Sequence, residues 1–155
     1  MSVPVWKQPK IISWSQILVD SFEQLTGNRL IDKLETPEKL AEALFYAPFA
    51  LVSHGIQTEP IFNYANQTAL KLWEITWDRF ITMPSRLSAE TVNREARAAM
   101  LQQAANKGYI DNYHGVRVSS TGKRFLIEKA IVWNLQDRKG NKCGQAATFS
   151  YWTFL

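Results

Sequence analysis

The sequence predicts an α+β fold: a five-stranded antiparallel sheet covered by helices on one face, with an N-terminal helical extension. Three observations lead there. Residues 109–155 hold three strand-like segments separated only by tight turns, so they must form an antiparallel meander. Two short strand-like runs lie earlier, at Phe49–Val52 and Pro60–Tyr64, and can complete the sheet. Between and before these strands, apolar residues recur at helical spacing behind recognisable caps. A chain of 155 residues suits one domain with one core.

Taken in order, residues 1–10, with Pro4 and Pro9 around Trp6, read as an extended arm. Ser13 or Ser15 can cap a helix running to about Leu25, with Leu18, Phe22 and Leu25 on one face and Gly27 as its stop. Thr36-Pro37 is a strong helix start, a capping hydroxyl before proline at the first helical position. Glu38 suits that N-terminus, Leu40, Ala43, Leu44 and Ala47 form the apolar face, and Pro48 stops the helix. Residues 1–35 therefore read as arm and flanking helix, and 36–155 as the domain proper.

The stretch Phe49–Trp73, FALVSHGIQTEPIFNYANQTALKLW, is the most informative. Its first apolar run closes at Gly55. The second runs from Pro60 to Tyr64 and reaches Asn66. From Gln67 the apolar period changes from two to about four, through Leu70 and Trp73. Short aromatic-rich turns follow at Trp77–Ile81, and Pro84 argues against a continuous helix. Ser88 and Glu90 then open a long helix, about 89–107, with Val92, Ala96, Ala99 and Met100 on its inward stripe and Gly108 ending it.

In the meander, Tyr109–Ser120 alternates Val116 and Val118 with Arg117 and Ser119. Ser120-Thr121-Gly122-Lys123 forms the first turn. Phe125–Leu135 carries Phe125, Ile127, Ile131 and Trp133 at even spacing, and Lys129 interrupts that face, which marks a bulge or an edge. Asp137-Arg138-Lys139-Gly140 forms the second turn. Cys143–Leu155 is the last strand, with Gly144, Ala146 and Ala147 before Phe149, Tyr151 and Trp152.

Composition excludes several classes. A net charge of +4, with no Lys/Arg run longer than two, is not that of a dedicated nucleic-acid binder. The single cysteine, Cys143, rules out an internal disulfide, a CxxC motif and a four-cysteine metal site. No apolar run approaches the roughly 18 residues of a membrane span. The start lacks the pattern of a signal peptide. A cytoplasmic setting is the expectation.

The element order resembles that of a PAS domain. The resemblance lies in Pro60–Trp73, with Asn66 where the second strand ends, and in Val132–Ala147, the last hairpin. More closely, the chain resembles the MEKHLA family of PAS-like domains through LFYAPFALVSHG (44–55), PIFNYANQTALKLWE (60–74), MPSRLSAE (83–90) and GYIDNYHGVRVSSTGKRFLIEKAIVWNL (108–135). PEKLAEALF (37–45) stands, diverged, where the motif that names the family belongs. The similarity covers about residues 13–155. It implies a sensory or regulatory module, found free-standing in bacteria, largely cyanobacteria, and as the C-terminal domain of plant class III homeodomain–leucine zipper proteins. The sequence has no zipper heptads, so any DNA-binding role would need a separate partner.

PAS folds often hold a cofactor, and the signatures for one are missing. A photoactive flavin domain needs a cysteine before the long helix, and Phe80–Glu90 has none; Cys143 lies elsewhere. A haem domain needs an axial histidine, usually on the long helix, and 89–107 has none. No cofactor and no metal is expected. His54 and His114 lack a third ligand for a metal. Ser53 and His54, adjacent on a strand, point to opposite faces and cannot pair as nucleophile and base. No phosphate-binding glycine motif occurs.

The candidate ligand contacts are Asn63, Trp73, Trp77, Arg86 and Trp133. Strand alternation turns Asn63 inward with Ile61, where a buried amide needs a partner. Arg86 sits at the mouth of the expected cavity and could meet an anion, or pair with Glu90 or Glu95. Trp73, Trp77 and Trp133 could frame an apolar pocket or simply fill the core. Asn66, His54 and Gly55 read as structural, Asn66 as the cap of the helix from Gln67. The expected function is a non-catalytic sensory or regulatory domain binding a small molecule or a protein partner. A homodimer is one such possibility, with Phe149, Tyr151 and Trp152 as its contact face. The alternatives are a structural dimerisation module with a filled core and a small enzyme using the cavity.

Overall fold

A computed structural model of the chain describes residues 3–88, 98, 99, 102 and 106–155. Most of the expected long helix, with Val92, Ala96 and Met100, lies outside the described residues. Ala99, expected on its inward stripe, is exposed.

The chain begins with a short 3-10 turn, Val5–Lys7, and not an extended arm. Trp6 is the reason: its ring is buried against Ala41 and Phe45. Helix α1 spans Pro9–Thr26, starting four residues before the expected serine cap, with Pro9 pre-set in its first turn. Ser15 is buried inside this helix, its hydroxyl donating to the Ile11 carbonyl at 2.7 Å. Gly27 closes the helix at φ 75°, the left-handed conformation glycine adopts without penalty.

Helix α2 (Pro37–Phe45) starts as the sequence predicts, the Thr36 hydroxyl accepting from Lys39 N–H at 3.1 Å. Strands β1 (Ala50–His54) and β2 (Phe62–Ala65) follow, then helices α3 (Gln67–Trp73) and α4 (Trp77–Phe80). The meander comprises β3 (Tyr109–Val118), β4 (Arg124–Gln136) and β5 (Lys142–Phe149), with β6 (Tyr151–Phe154) continuing past Ser150.

The sheet is antiparallel throughout, in the order β2-β1-β5-β4-β3, with β6 also paired to β4. The expected last strand is thus broken once. Ile131↔Thr148 and Glu128↔Tyr151 keep one register across the break, so β5 and β6 act as one bent strand on β4.

Both faces of the sheet are covered. Helix α3 and Phe80 of α4 pack on one face with Val52, Phe62, Ile127 and Phe149. The N-terminal extension covers the other: Ile11, Leu18, Val19 and Phe22 of α1 pack with Leu51, Trp133, Leu135 and Ala146. Each buried side chain of this kind contributes about 1.5–3 kcal/mol. Gly108, at φ 88°, admits α1 closely; a Cβ there would lie 2.6 Å from a Leu25 methyl.

Two bulges switch faces within the meander. Asn112, at φ 57°, adds a residue to β3 between the pairs Ile110↔Val132 and Tyr113↔Ala130. Lys129, at φ 55°, adds one to β4 between Tyr113↔Ala130 and Gly115↔Ile127 and restores the register. The bulge at Lys129 is therefore real, but on a central strand and not an edge. It splits the evenly spaced apolar series: Phe125 and Ile127 face α3, whereas Ile131 and Trp133 face α1.

Candidate functional site

The α3 face of the sheet holds a partly open cavity. Asn66 builds its edge. This fully buried side chain accepts from Leu51 N–H (3.0 Å) and Ala69 N–H (3.1 Å) and donates to the carbonyls of Phe49 (2.8 Å) and Leu44 (3.2 Å). One amide thus caps α3, ties it to β1 and holds the end of α2. At the far end of α3, Trp73 lies against Phe80, Phe125 and Phe149, with ring centroids 6.2, 5.2 and 6.0 Å away.

The cavity between Trp73 and the sheet has a volume of about 70 Å³. Its walls are Val52 and His54 from β1, Phe62 from β2, and Ala147 and Phe149 from β5. Ile127 and Val132 of β4 form the floor. Ser85 and Ser88, on a 3-10 turn (Ser85–Ser88), close one side; Ser85 N–H bonds to Pro60 O at 2.9 Å and holds the turn to the approach of β2.

Strand β3 supplies the polar content. Tyr113 and Arg117 line the cavity, and Arg117 Nη2 donates to the Tyr113 hydroxyl at 3.1 Å. The guanidinium also stands 5.5 Å from the centre of the Tyr113 ring. Burial pulls the Arg117 pKa below its ordinary value, and the tyrosine opposes that shift. Among the described residues no carboxylate pairs with Arg117. Gln145 also lines the cavity and donates to Asn134 Oδ1 at 3.3 Å. The Trp73 indole N–H is buried and has no partner among the described residues.

Of the five expected ligand contacts, only Trp73 lines this cavity. Asn63 is the extra residue of a bulge, between the pairs Ser53↔Tyr64 and His54↔Phe62. Its Oδ1 instead accepts from Ser53 Oγ at 2.6 Å, which in turn accepts from Trp14 Nε1 at 2.9 Å, on the α1 face. Trp133 is fully buried under α1, donating to Leu18 O at 3.3 Å, because the Lys129 bulge turned it from the cavity. Trp77 packs edge-on to Tyr64, with ring centroids 5.6 Å apart, beside the cluster of Trp6 and Phe45. Arg86 is about half exposed and pairs with Glu59; Glu90 and Glu95, its expected partners, lie outside the described residues.

Asn66 has the structural role the sequence predicts. Gly55 ends β1, its N–H bonded to Ile61 O at 3.2 Å. His54 lines the cavity, with Nδ1 bonded to Gly55 O at 2.8 Å, while Ser53 faces α1, so the two lie on opposite faces. Tyr113, Arg117 and Gln145 were not recognisable as site residues. The available signal was Asn112, a residue type that tolerates the left-handed conformation and so marks a bulge.

The fit to a flavin is poor. Pockets for ligands the size of drugs or cofactors run to about 300–1,000 Å³, several times this volume. Cys143, the single cysteine, lies outside the cavity, packed on the α1 side with its thiol pushed up by burial and by Asp137. Among the described residues no group of three or more His, Cys, Asp and Glu could hold a metal ion, and no helix is long and apolar enough to cross a membrane.

A bent five-strand path with a capped helix over a cavity on one sheet face defines a PAS-like fold. Solved structures agree on the fold. A PAS domain from Colwellia psychrerythraea superposes with a TM-score of 0.63 at 15% identity, over 76% of this chain and 95% of that one. A light-oxygen-voltage domain studied with a flavin analogue gives 0.58 at 16% identity, over 76% and 84%. The chain belongs to the MEKHLA domain family, whose profile matches residues 12–154. Among curated relatives, homeobox-leucine zipper protein HOX29 of Oryza sativa subsp. indica is 28% identical over 81% of this chain, and ATHB-14 of Arabidopsis thaliana 27% over 100%. The chain spans only 15% and 18% of the lengths of those two plant proteins.

Proposed function

We propose that this chain is a non-catalytic, cytoplasmic regulatory module whose sheet cavity takes a small molecule and whose N-terminal helix reports occupancy. The carrying observation is the placement of β1 and β4 between the two. Val52 lines the cavity while its neighbours Leu51 and Ser53 contact the α1 layer, and Val132 lines it while Trp133 holds the Leu18 carbonyl. A ligand that prefers one arrangement of these strands shifts α1 by its differential affinity. A fragment panel tests this by thermal shift and hydrogen exchange. Supporting fragments stabilise the wild-type protein, alter exchange in α1, and lose both effects in Ala147→Phe, which fills the cavity. A panel in which no stabilising fragment depends on Ala147 contradicts the reading.

Tyr151 and Phe154 favour a second contact, to a protein partner or another copy. These β6 side chains are 57% and 58% exposed, whereas Phe149 is buried and Trp152 packs on the core. Concentration-dependent mass in solution that is lost in Tyr151→Ser/Phe154→Ser supports a homodimer. A monomeric mass at all concentrations removes it.

A further inference from the structure

The geometry points to a particular ligand class: the cavity is a receptor site for a short-chain monocarboxylate, held at its charged end by Arg117. This rests on the reading of the cavity as a ligand site and narrows it. Five observations converge. Arg117 is a cavity-lining cation whose one hydrogen-bond partner among the described residues, Tyr113, is a neutral hydroxyl. A partly buried guanidinium with no counter-charge among the described residues is left poorly compensated, and a bidentate carboxylate is the partner its planar fork fits.

A second donor waits in the same space. Trp73 is 3% exposed, lines the cavity, and its Nε1 has no partner among the described residues. Indole nitrogen only donates, so its missing partner is an acceptor. Among the described residues, moreover, the lining contains no Asp or Glu to repel an anion.

The remaining walls set the rest of the molecule. Val52, Phe62, Ile127, Val132, Ala147 and Phe149 offer an apolar surface for a short hydrocarbon chain, with His54, Ser85, Ser88 and Gln145 among the other polar residues of the lining. One guanidinium compensates one negative charge, which favours a monoanion over a phosphate dianion. The volume limits the size. At roughly 10–15 Å³ per buried water, 70 Å³ holds about five waters, the scale of a carboxylate with a two- to four-carbon chain.

Calorimetric titration of the full chain tests this with butyrate, its neutral isostere butyramide, and inorganic phosphate. Butyrate is expected to bind roughly tenfold to a hundredfold more tightly than butyramide, and more tightly than phosphate. Arg117→Gln is expected to erase that preference while leaving butyramide binding unchanged. Equal binding of butyrate and butyramide, indifferent to Arg117→Gln, overturns the carboxylate assignment and leaves the cavity reading intact. Phosphate binding more tightly than butyrate also overturns it. Absence of binding by all three, together with isobutanol, overturns both. If Arg117→Gln does not fold, the wild-type ratio of butyrate to butyramide decides.

Discussion

Arg117 reaches the Tyr113 hydroxyl, 3.1 Å away, across the bare backbone of Gly115. All three lie on the cavity face at alternate positions of β3, and a Cβ on Gly115 would stand 2.7 Å from that hydroxyl. Gly115→Ala is therefore expected to push the Tyr113 ring aside without unfolding the strand, since a side-chain tip can move where backbone cannot. Alanine also suits a strand interior better than glycine by about 0.5–1 kcal/mol. The expected outcome is a melting temperature within a few degrees of wild type and a weakened response to butyrate. Thermal denaturation and calorimetry on the same sample check both halves.

Asn66 is the structural keystone of the same wall. Asn66→Ala leaves the buried N–H groups of Leu51 and Ala69 without their amide acceptor and the carbonyls of Phe49 and Leu44 without their amide donor. Each unmet buried group costs about 1–3 kcal/mol, so a loss of about 3 kcal/mol or more is expected in urea unfolding. A loss under about 1 kcal/mol would mean that α3 does not depend on this cap.

Gly144 tests the join of β1 and β5. A Cβ there would lie 2.3 Å from the His54 carbonyl oxygen, a backbone atom of the paired strand. Gly144→Ala must move backbone, and overpacking of this kind costs about 1–3 kcal/mol. Urea titration should show that loss, in contrast to the near-neutral Gly115→Ala.

Acid titration has a local signature at the end of α3. Hydrogen bonds from Thr121 and Lys123 hold the Glu74 carboxyl below its ordinary pKa, with Lys123 Nζ 3.0 Å away. A depressed folded pKa favours the native state above the unfolded value, and that contribution disappears as pH falls through the folded one. The stability difference between wild type and Glu74→Gln should thus be present at neutral pH and shrink as the pH falls below the ordinary carboxylate range, as measured by unfolding midpoints. A difference that grows on acidification would refute this role for Glu74.

Elements governed by local chemistry were legible in the sequence. Thr36-Pro37, Asn66 and Gly27 declare helix ends through caps that depend on their own turn, and each behaves as read. The meander followed from its two turns. The site was less legible because it depends on which face each residue takes after a bulge. The even spacing of Phe125, Ile127, Ile131 and Trp133 reads as one face, yet the left-handed Lys129 sends its two halves to opposite sides. The same arithmetic hid Arg117, turned inward by Asn112, and misdirected Asn63, which bulges towards Ser53. Arg86 failed for another reason: Glu59, distant in sequence, meets it outside the cavity.

The most direct measurement is the indole N–H resonance of Trp73 in a ¹H–¹⁵N spectrum, assigned through Trp73→Phe and followed during butyrate titration. A saturable shift of that resonance, together with the amides of Val52, Ile127, Val132 and Ala147, is the predicted result. No saturable change at Trp73, or shifts confined to the surface around Arg86 and Glu59, would contradict a ligand-binding cavity beneath α3.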